Sequence, residues 1–202
     1  GFFLMLSYLV TNTTLNIDRL VIRQVLGNEQ VTWYYVTSLI GKTLVLLIAP
    51  INTIVISYLT KRKERLTRLQ YGKAALAGGI VSFVFFLACQ VGTPFFVWLF
   101  YRNLYDSVKG IVTVVNLAQI LGLYSAFLFI LVLTFTDERW QLGIQLAHFV
   151  ILLAVSIPAA KIYGLEGFAY ASLGANILRV AAVIILGLVK AQNGKESKDE
   201  YR

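Results

Sequence analysis

Residues 74–101 read AALAGGIVSFVFFLACQVGTPFFVWLFY, an apolar stretch without a charged residue. A helix rises about 1.5 Å per residue, so this stretch is long enough to cross the roughly 30 Å hydrocarbon core of a bilayer. Backbone polar groups in that core must bond to one another, and a single long apolar run satisfies them as a helix. The stretch therefore predicts a transmembrane helix.

The composition of the whole chain extends this interpretation. Apolar and aromatic residues make up 58% of the 202 residues, charged residues make up 14%, and the mean hydropathy is +0.73. A soluble domain carries about a quarter charged residues, so this chain has too little polar surface for water alone. The net charge of +8 is then expected in loops beside the membrane, and no nucleic-acid partner is expected.

Six apolar stretches are long enough to span a bilayer, and they predict an all-α fold. We expect a polytopic membrane bundle of six transmembrane helices within residues 1–191. The predicted helices cover residues 2–25, 30–59, 74–101, 109–135, 141–162 and 167–190. The polar residues 192–202 are expected to form a disordered tail.

Basic residues are distributed unequally between the two sets of connections. Eleven lie on the side of the Lys61–Lys73 segment and the carboxy-terminal tail, whereas the other side carries Arg102, Lys109 and Lys161. Cytoplasmic loops are enriched in Lys and Arg, so the first side is predicted to be cytoplasmic. Both ends of the chain would then lie in the cytoplasm.

Charged residues within apolar segments are the candidates for function, because a charge at membrane depth is costly unless it faces a cavity or a partner. In the first segment Asn12, Asn16, Arg19 and Arg23 are spaced i, i+4, i+7 and i+11. At about 100° per residue they share one narrow face of a helix. Asp18 lies roughly 100° away from that face and must meet a different neighbour.

Lys42 in the second segment is the predicted partner of Asp18. The first two segments should be antiparallel around a turn near Asn28, and the two residues then differ in depth by about 6 Å. A lysine side chain can span that difference. We therefore hypothesise an Asp18–Lys42 ion pair, in which Asp18 acts as an ion-pair or coupling residue.

Later segments also carry polar stripes. These stripes are Lys109, Thr113, Asn116 and Tyr124, then Gln141, Gln145 and His148, then Ser172, Asn176 and Arg179. Because the stripes are mainly cationic or amide-bearing, we predict a hydrated central cavity of positive potential that suits an anionic substrate. The predicted substrate-binding residues are Arg19, Arg23, Lys42, Arg179, Asn16 and Asn116. For the amides an alternative stays open, in which they only hold helices together.

Three stretches resemble a known family. Residues 16–22 (NIDRLVI), followed by 25–27 (VLG) and two tyrosines at 34 and 35, are similar to the seventh helix and following turn of polysaccharide flippases. These belong to the multidrug/oligolipid/polysaccharide exporter superfamily. Residues 93–105 resemble the end of their ninth helix. Residues 163–171 (YGLEGFAYA) resemble the entry to their last helix, although Phe168 departs from the family pattern.

The resemblance implies an alternating-access transporter of two six-helix bundles, of which this chain is the second, carboxy-terminal one. Its substrate would be an undecaprenyl-diphosphate-linked oligosaccharide or a related polysaccharide precursor, moved across the cytoplasmic membrane of a bacterium. Membrane lipid and the amino-terminal six-helix bundle of the same protein are the implied partners. The cavity cations of the family correspond most naturally to Arg19, Arg23, Lys42 and Arg179.

Other functions agree less well with the residues. A cation-coupled multidrug exporter of the same superfamily needs buried carboxylates, of which Asp18 is the main candidate, and a cationic cavity would repel cationic drugs. A non-transporting membrane scaffold would leave the deep charges as an unexplained cost. An enzyme would need a catalytic histidine, paired carboxylates or a metal site, and the single His148 and single Cys89 supply none of these. We therefore expect no enzymatic activity and no cofactor.

Overall fold

The computed structural model describes residues 2–60 and 66–191, which form a bundle of helices. The helices are α1 (Phe2–Leu26), α2 (Asn28–Thr60), α3 (Arg68–Phe100), α4 (Tyr105–Val108), α5 (Val112–Leu133) and α6 (Glu138–Lys190). The predicted all-α class is confirmed. The basic residues 61–65 and the predicted tail 192–202 lie outside the described residues.

Three helices in the described part of the chain, α3, α5 and α6, are long and apolar enough to cross a membrane. The chain is therefore compatible with a membrane-spanning protein. Large apolar side chains of α3 are exposed along its length, among them Leu76, Phe83, Leu87 and Val91. An exposed apolar surface of this extent is unfavourable in water and favourable against lipid tails.

Helix α5 lies at the centre of the bundle. It packs against α2, α3 and α6, and most of its side chains are buried. Its sequence explains this position, because the stretch from Val112 to Leu133 contains no charged residue and few polar ones. A helix that is apolar all round is typical of the interior of a bundle.

Helix α6 reverses direction at Gly164. This glycine has φ 64° and ψ −147°, a conformation that residues with a Cβ rarely adopt. Just beyond the reversal Gly167 packs against the carbonyl oxygen of Ala159 and leaves no room for a Cβ. The Nζ atom of Lys190, at the end of α6, lies 5.3 Å from the ring centroid of Trp140 near its beginning. The helix is thus a hairpin.

The two antiparallel parts of α6 are its first arm (138–163) and its second arm (165–190). They correspond to the predicted helices 141–162 and 167–190. At about 1.5 Å per residue each arm is close to 40 Å long, whereas an unbroken α6 would be about 80 Å long. The reversal therefore decides how many times this part of the chain can cross a bilayer.

A single residue, Gly27, separates α1 from α2. Its φ of 94° is in the left-handed region, and its N–H donates to the carbonyl groups of Ile22 (3.2 Å) and Arg23 (3.1 Å). Glycine at this position ends a helix without steric penalty. The predicted turn near Asn28 is therefore shorter than expected, and α2 begins at Asn28 and not at residue 30.

Helix α3 begins at Arg68 and not at residue 74 as predicted. The hydroxyl of Thr67 accepts a hydrogen bond from the N–H of Gln70 (3.3 Å), and the side-chain oxygen of Gln70 accepts one from the N–H of Thr67 (3.2 Å). This capping box follows the Thr-x-x-Gln pattern, which marks the start of a helix. The prediction missed it because the predicted helices were placed from their apolar stretches alone. The prediction that Lys61–Lys73 is a connecting loop is wrong from Arg68 onward.

The connection between α3 and α5 contains a 3-10 turn (Arg102–Leu104) and α4. Helix α5 begins at Val112, so Lys109 precedes it instead of belonging to the predicted helix 109–135. The Lys109 ammonium donates a hydrogen bond to the Asp106 carboxylate at 2.9 Å. This hydrogen bond, together with the charge of Asp106, raises the pKa of Lys109.

Aromatic contacts close the end of the bundle that contains Gly27 and Gly164, which we call the turn end. The rings of Tyr34 on α2 and Phe168 on α6 meet edge to face with centroids 5.3 Å apart. Around them lies a buried apolar cluster that includes Ile22 of α1. These contacts join α1, α2, α5 and α6 at the turn end.

A second aromatic pair closes the opposite end, where α6 both begins and ends, which we call the terminal end. Tyr71 on α3 packs edge to face against Phe135, with ring centroids 5.9 Å apart. Its hydroxyl donates a hydrogen bond to the carbonyl of Val183 at 3.1 Å. The terminal end is therefore held by contacts among α3, the segment after α5 and the second arm of α6.

Replacing Gly164 by alanine is expected to destabilise the protein by about 1–3 kcal/mol, because a Cβ is strained at this φ and ψ. Thermal unfolding of the purified protein in detergent measures the effect. Gly174→Ala is the matched control, since Gly174 lies within the second arm and has open space where a Cβ would be. Alanine there should raise stability by roughly 0.5–1 kcal/mol or leave it unchanged. A Gly164→Ala protein as stable as the Gly174→Ala protein would contradict the proposed role of the reversal.

Candidate functional site: buried polar clusters between the helices

The predicted ion pair between Asp18 and Lys42 is present. The Nζ atom of Lys42 lies 2.7 Å from Oδ2 of Asp18, and their side chains are only 18% and 10% exposed. The other carboxylate oxygen, Oδ1, accepts a hydrogen bond from the N–H of Arg19 at 2.7 Å. A buried carboxylate is thereby neutralised by a lysine on the neighbouring helix, as its position off the α1 polar stripe predicted.

Tyr34 connects this ion pair to the rest of the bundle. It is close to Asp18, and its buried hydroxyl lies near the side chains of Gln119 on α5 and Ser172 on the second arm of α6. Four elements therefore meet at the ion pair. We call Asp18, Tyr34, Lys42, Gln119 and Ser172 the Asp18 cluster.

Arg19 and Arg23 do not enter the interior with Asp18. The Arg19 guanidinium lies over the ring of Tyr35, 4.6 Å from its centroid, and is half-buried between α1 and α2. Arg23 is exposed, as are Asn12 and Asn16 on the same face of α1. The predicted polar stripe is therefore a real face of α1, and most of it is directed away from the core of this bundle.

Asn116 occupies a different interface, between α3 and α5, where it is fully buried. Its amide nitrogen donates to the carbonyl of Cys89 (3.1 Å) and to Oε1 of Gln90 (3.2 Å). Its oxygen accepts from the hydroxyl of Thr93 at 3.2 Å. Both amide hydrogens and the oxygen of Asn116 are engaged, which favours the alternative that this amide holds two helices together.

A cavity of about 180 Å³ lies beside the Asn116 network, towards the turn end. Gln90 lines it and donates a hydrogen bond to the hydroxyl of Thr113 at 2.8 Å. The full lining is Gln90, Pro94, Val97, Tyr105, Val108, Lys109, Val112 and Thr113. None of the predicted substrate-binding residues takes part in this lining.

Arg179 lies on the second arm of α6 and is only 8% exposed. Its guanidinium is 5.5 Å from the ring centroid of Phe129 on α5. The first arm contributes His148, which interacts electrostatically with Arg179, and Gln145, one helical turn before His148. We call Gln145, His148 and Arg179 the Arg179 cluster.

Several polar atoms of the Arg179 cluster have no hydrogen-bond partner. These atoms are Nε of Arg179, both ring nitrogens of His148 and Oε1 of Gln145. Among the described residues, none places a carboxylate within salt-bridge distance of Arg179. The i, i+3 spacing of Gln145 and His148 was visible as a stripe in the sequence, but only the structure shows that it faces a buried arginine.

The four predicted cavity cations are not gathered in one site by the described residues. Lys42 is paired with Asp18, Arg19 stacks on Tyr35, and Arg179 lies among α5 and both arms of α6. The physical reason is the position of α5, which fills the centre of this bundle with apolar side chains. Among the residues that the structure describes, the polar stripes therefore meet different neighbours and not one another.

Breaking the ion pair from one side is expected to be costly. Asp18→Lys or Lys42→Asp alone should destabilise the protein by about 3–5 kcal/mol, because each leaves like charges buried together. The double variant, Asp18→Lys with Lys42→Asp, should recover most of that loss, since the pair is restored with reversed polarity. Thermal unfolding in detergent measures all three. A double variant no more stable than the weaker single variant would show that the two charges are not coupled.

Comparison with protein-family models, with curated proteins and with solved structures finds no significant match to this chain.

Proposed function

We propose that this protein is a membrane transporter that flips an anionic, lipid-linked sugar across a bacterial cytoplasmic membrane by alternating access. The chain would supply its second six-helix bundle, and the substrate would be an undecaprenyl-diphosphate-linked oligosaccharide or a related polysaccharide precursor. The observation that carries the proposal is the exposed polar face of α1, with Asn12, Asn16 and Arg23.

Lipid is a poor neighbour for that face of α1. An exposed amide or guanidinium at membrane depth is costly, and such residues usually face a water-filled passage or another protein segment. The surface of α3, by contrast, is apolar along its length and suits lipid. The difference between the two surfaces supports a wet passage along α1, which a second bundle would close on its other side.

The chemistry of the α1 face suits a diphosphate. In the described part of the chain Arg23 makes no ion pair or side-chain hydrogen bond, so its guanidinium is available to a ligand. Arg19 lies one turn away, partly exposed over Tyr35. Guanidinium groups bind phosphate oxygens with two parallel hydrogen bonds, which gives both affinity and orientation.

Six membrane crossings are part of the same proposal. Helices α1, α2, α3 and α5 would each cross once, and each arm of α6 is long enough to cross once. The reversal at Gly164 supports this count, because it returns the second arm to the side on which the first arm began. The excess of basic residues would place the terminal end in the cytoplasm.

The Asp18–Lys42 pair favours a second candidate, a cation-coupled multidrug exporter of the same superfamily. A buried carboxylate that exchanges a lysine for a proton or a metal cation could couple transport to an ion gradient. The pair is also compatible with an ion-coupled sugar flippase. The charge of the transported molecule therefore distinguishes the two candidates.

Variants of the α1 arginines test the proposed substrate. Arg23→Ala and Arg19→Ala should each reduce transport of a diphosphate-linked sugar about tenfold or more, because a charge-assisted contact is lost. Arg102→Ala is the matched control, since Arg102 is exposed outside the helices that carry the stripe. Export by cells that depend on the complete protein provides the measurement. Undiminished export in both α1 variants would refute the proposal, and selective loss of cationic dye efflux in the Asp18→Asn variant would favour the multidrug exporter.

Single cysteines test the proposed topology. In a Cys89→Ser background, Ser107→Cys and Tyr163→Cys should react with a membrane-impermeant maleimide added outside intact cells, and Asp137→Cys should react only after the membrane is opened. All three positions lie at or near helix ends, and Ser107, Asp137 and Tyr163 are exposed. Equal labelling at positions 137 and 163 in intact cells would exclude two crossings by α6.

A further inference from the structure

The Arg179 cluster lies apart from the exposed face of α1 and is not explained by the proposed transport path. Its three side chains come from the two arms of α6, which pack against α5 at this level. Gln145 is 3% exposed, His148 is 5% exposed and Arg179 is 8% exposed. Nine-tenths or more of each residue is thus removed from solvent.

The charge in this cluster is not balanced. Arg179 carries a positive charge, and the groups that the structure shows near it are His148 and the ring of Phe129, neither of which is an anion at neutral pH. The cation–π contact offsets only part of the cost of removing a guanidinium from water. A buried cation in a native protein is usually paired, so a counter-anion is missing from the set of described residues.

The atoms of the Arg179 cluster that lack a hydrogen-bond partner indicate the chemistry of the missing anion. Nε of Arg179 is a donor, and one nitrogen of a neutral His148 is a donor as well. The Gln145 amide can present its NH₂ group in place of its oxygen, because the two ends of an amide are nearly interchangeable in shape. Gln145 lies one helical turn from His148 on the same face of the first arm, and the planar fork of the Arg179 guanidinium matches the oxygen atoms of an oxyanion.

We propose that the Arg179 cluster is a binding site for one phosphate group, which is supplied either by a lipid headgroup or by free phosphate. The bound phosphate balances the charge of Arg179 and accepts hydrogen bonds from both arms of α6. It therefore acts as a tie between the two arms. This role does not depend on sugar transport along α1. It can be measured as the thermal stability of the folded protein.

Thermal unfolding in micelles of an alkyl maltoside detergent, which carries no phosphate, tests the site. Inorganic phosphate is titrated against sodium gluconate at constant ionic strength. Since a ligand that binds only the folded state stabilises it by mass action, the melting temperature of the wild-type protein should rise and saturate. The Arg179→Gln variant should bind phosphate about tenfold more weakly or worse. Lys161→Gln, which removes an exposed cation near the turn end, is the matched control and should keep the wild-type response.

A second experiment identifies the source of the phosphate. Maltoside micelles that contain phosphatidic acid, in phosphate-free gluconate, should raise the melting temperature of the wild type if a lipid headgroup occupies the site. A rise in melting temperature in either experiment that disappears in Arg179→Gln supports the proposal and identifies the source of the phosphate. The Arg179→Lys variant keeps the positive charge but lacks the planar guanidinium group. A weakened response in this variant would show the loss of phosphate binding even if Arg179→Gln fails to fold.

Three results would overturn the phosphate site. One is a wild-type melting temperature that responds to neither phosphate nor phosphatidic acid. Another is an equal response in wild type and Arg179→Gln. The third is stabilisation by sodium chloride with none by phosphate, which would assign the cluster to a halide. Each of these results leaves the transport test on Arg19 and Arg23 unaffected, so the two proposals fail separately.

Discussion

A polar group that is buried among apolar helices has to find its partner within the protein, and this requirement governs the arrangement of the bundle. Water cannot satisfy it at membrane depth, so each carboxylate, amide and guanidinium selects the helix that it packs against. Asp18 is the clearest case, because Lys42 on α2 meets its carboxylate at 2.7 Å. The pair sets the register of α1 against α2 within about one helical turn.

The same requirement accounts for the network between α3 and α5. Asn116 engages its amide hydrogens and its oxygen with Cys89, Gln90 and Thr93, and it does so without any charged group. Interhelical hydrogen bonds of this kind contribute modestly in a membrane, roughly 1 kcal/mol each, but they define which faces touch. A polar residue within a membrane helix is therefore as often a packing device as a ligand site.

Charges that lack a partner are the more informative ones. Arg23 is exposed on α1, and Arg179 is buried beside His148 without a carboxylate among the described residues. For each of these arginines we propose a further group, which is a wet passage or a second bundle for Arg23 and a phosphate for Arg179. The two arginines lie in separate regions of the described structure, one on the exposed face of α1 and one buried beside α5.

Glycines at the turn end make this division possible. Gly27 and Gly164 adopt positive φ angles, and they reverse the chain within one residue. The sharp turns hold α1 against α2 and the two arms of α6 against each other, so that the polar faces are presented at fixed depths. Longer loops would permit the same helices to slide or rotate, and the buried pairs would lose their alignment.

The sequence by itself determined the helical class, the approximate helices and the polar face of α1. These features depend on local composition and on helical periodicity, which is a property of the chain alone. The capping box that begins α3 at Arg68 was also encoded locally, and a search for Thr-x-x-Gln would have found it.

Only the tertiary structure decided which faces meet. Periodicity says that Gln145 and His148 share a face, but not that this face lies against Arg179, because the contact depends on the reversal at Gly164 and on the rotation of each arm. It likewise placed α5 in the centre of the described bundle, where its mostly buried side chains lie between helices that carry polar stripes. Helix packing is a long-range property, in which residues far apart in sequence compete for the same volume, and no local pattern specifies its outcome.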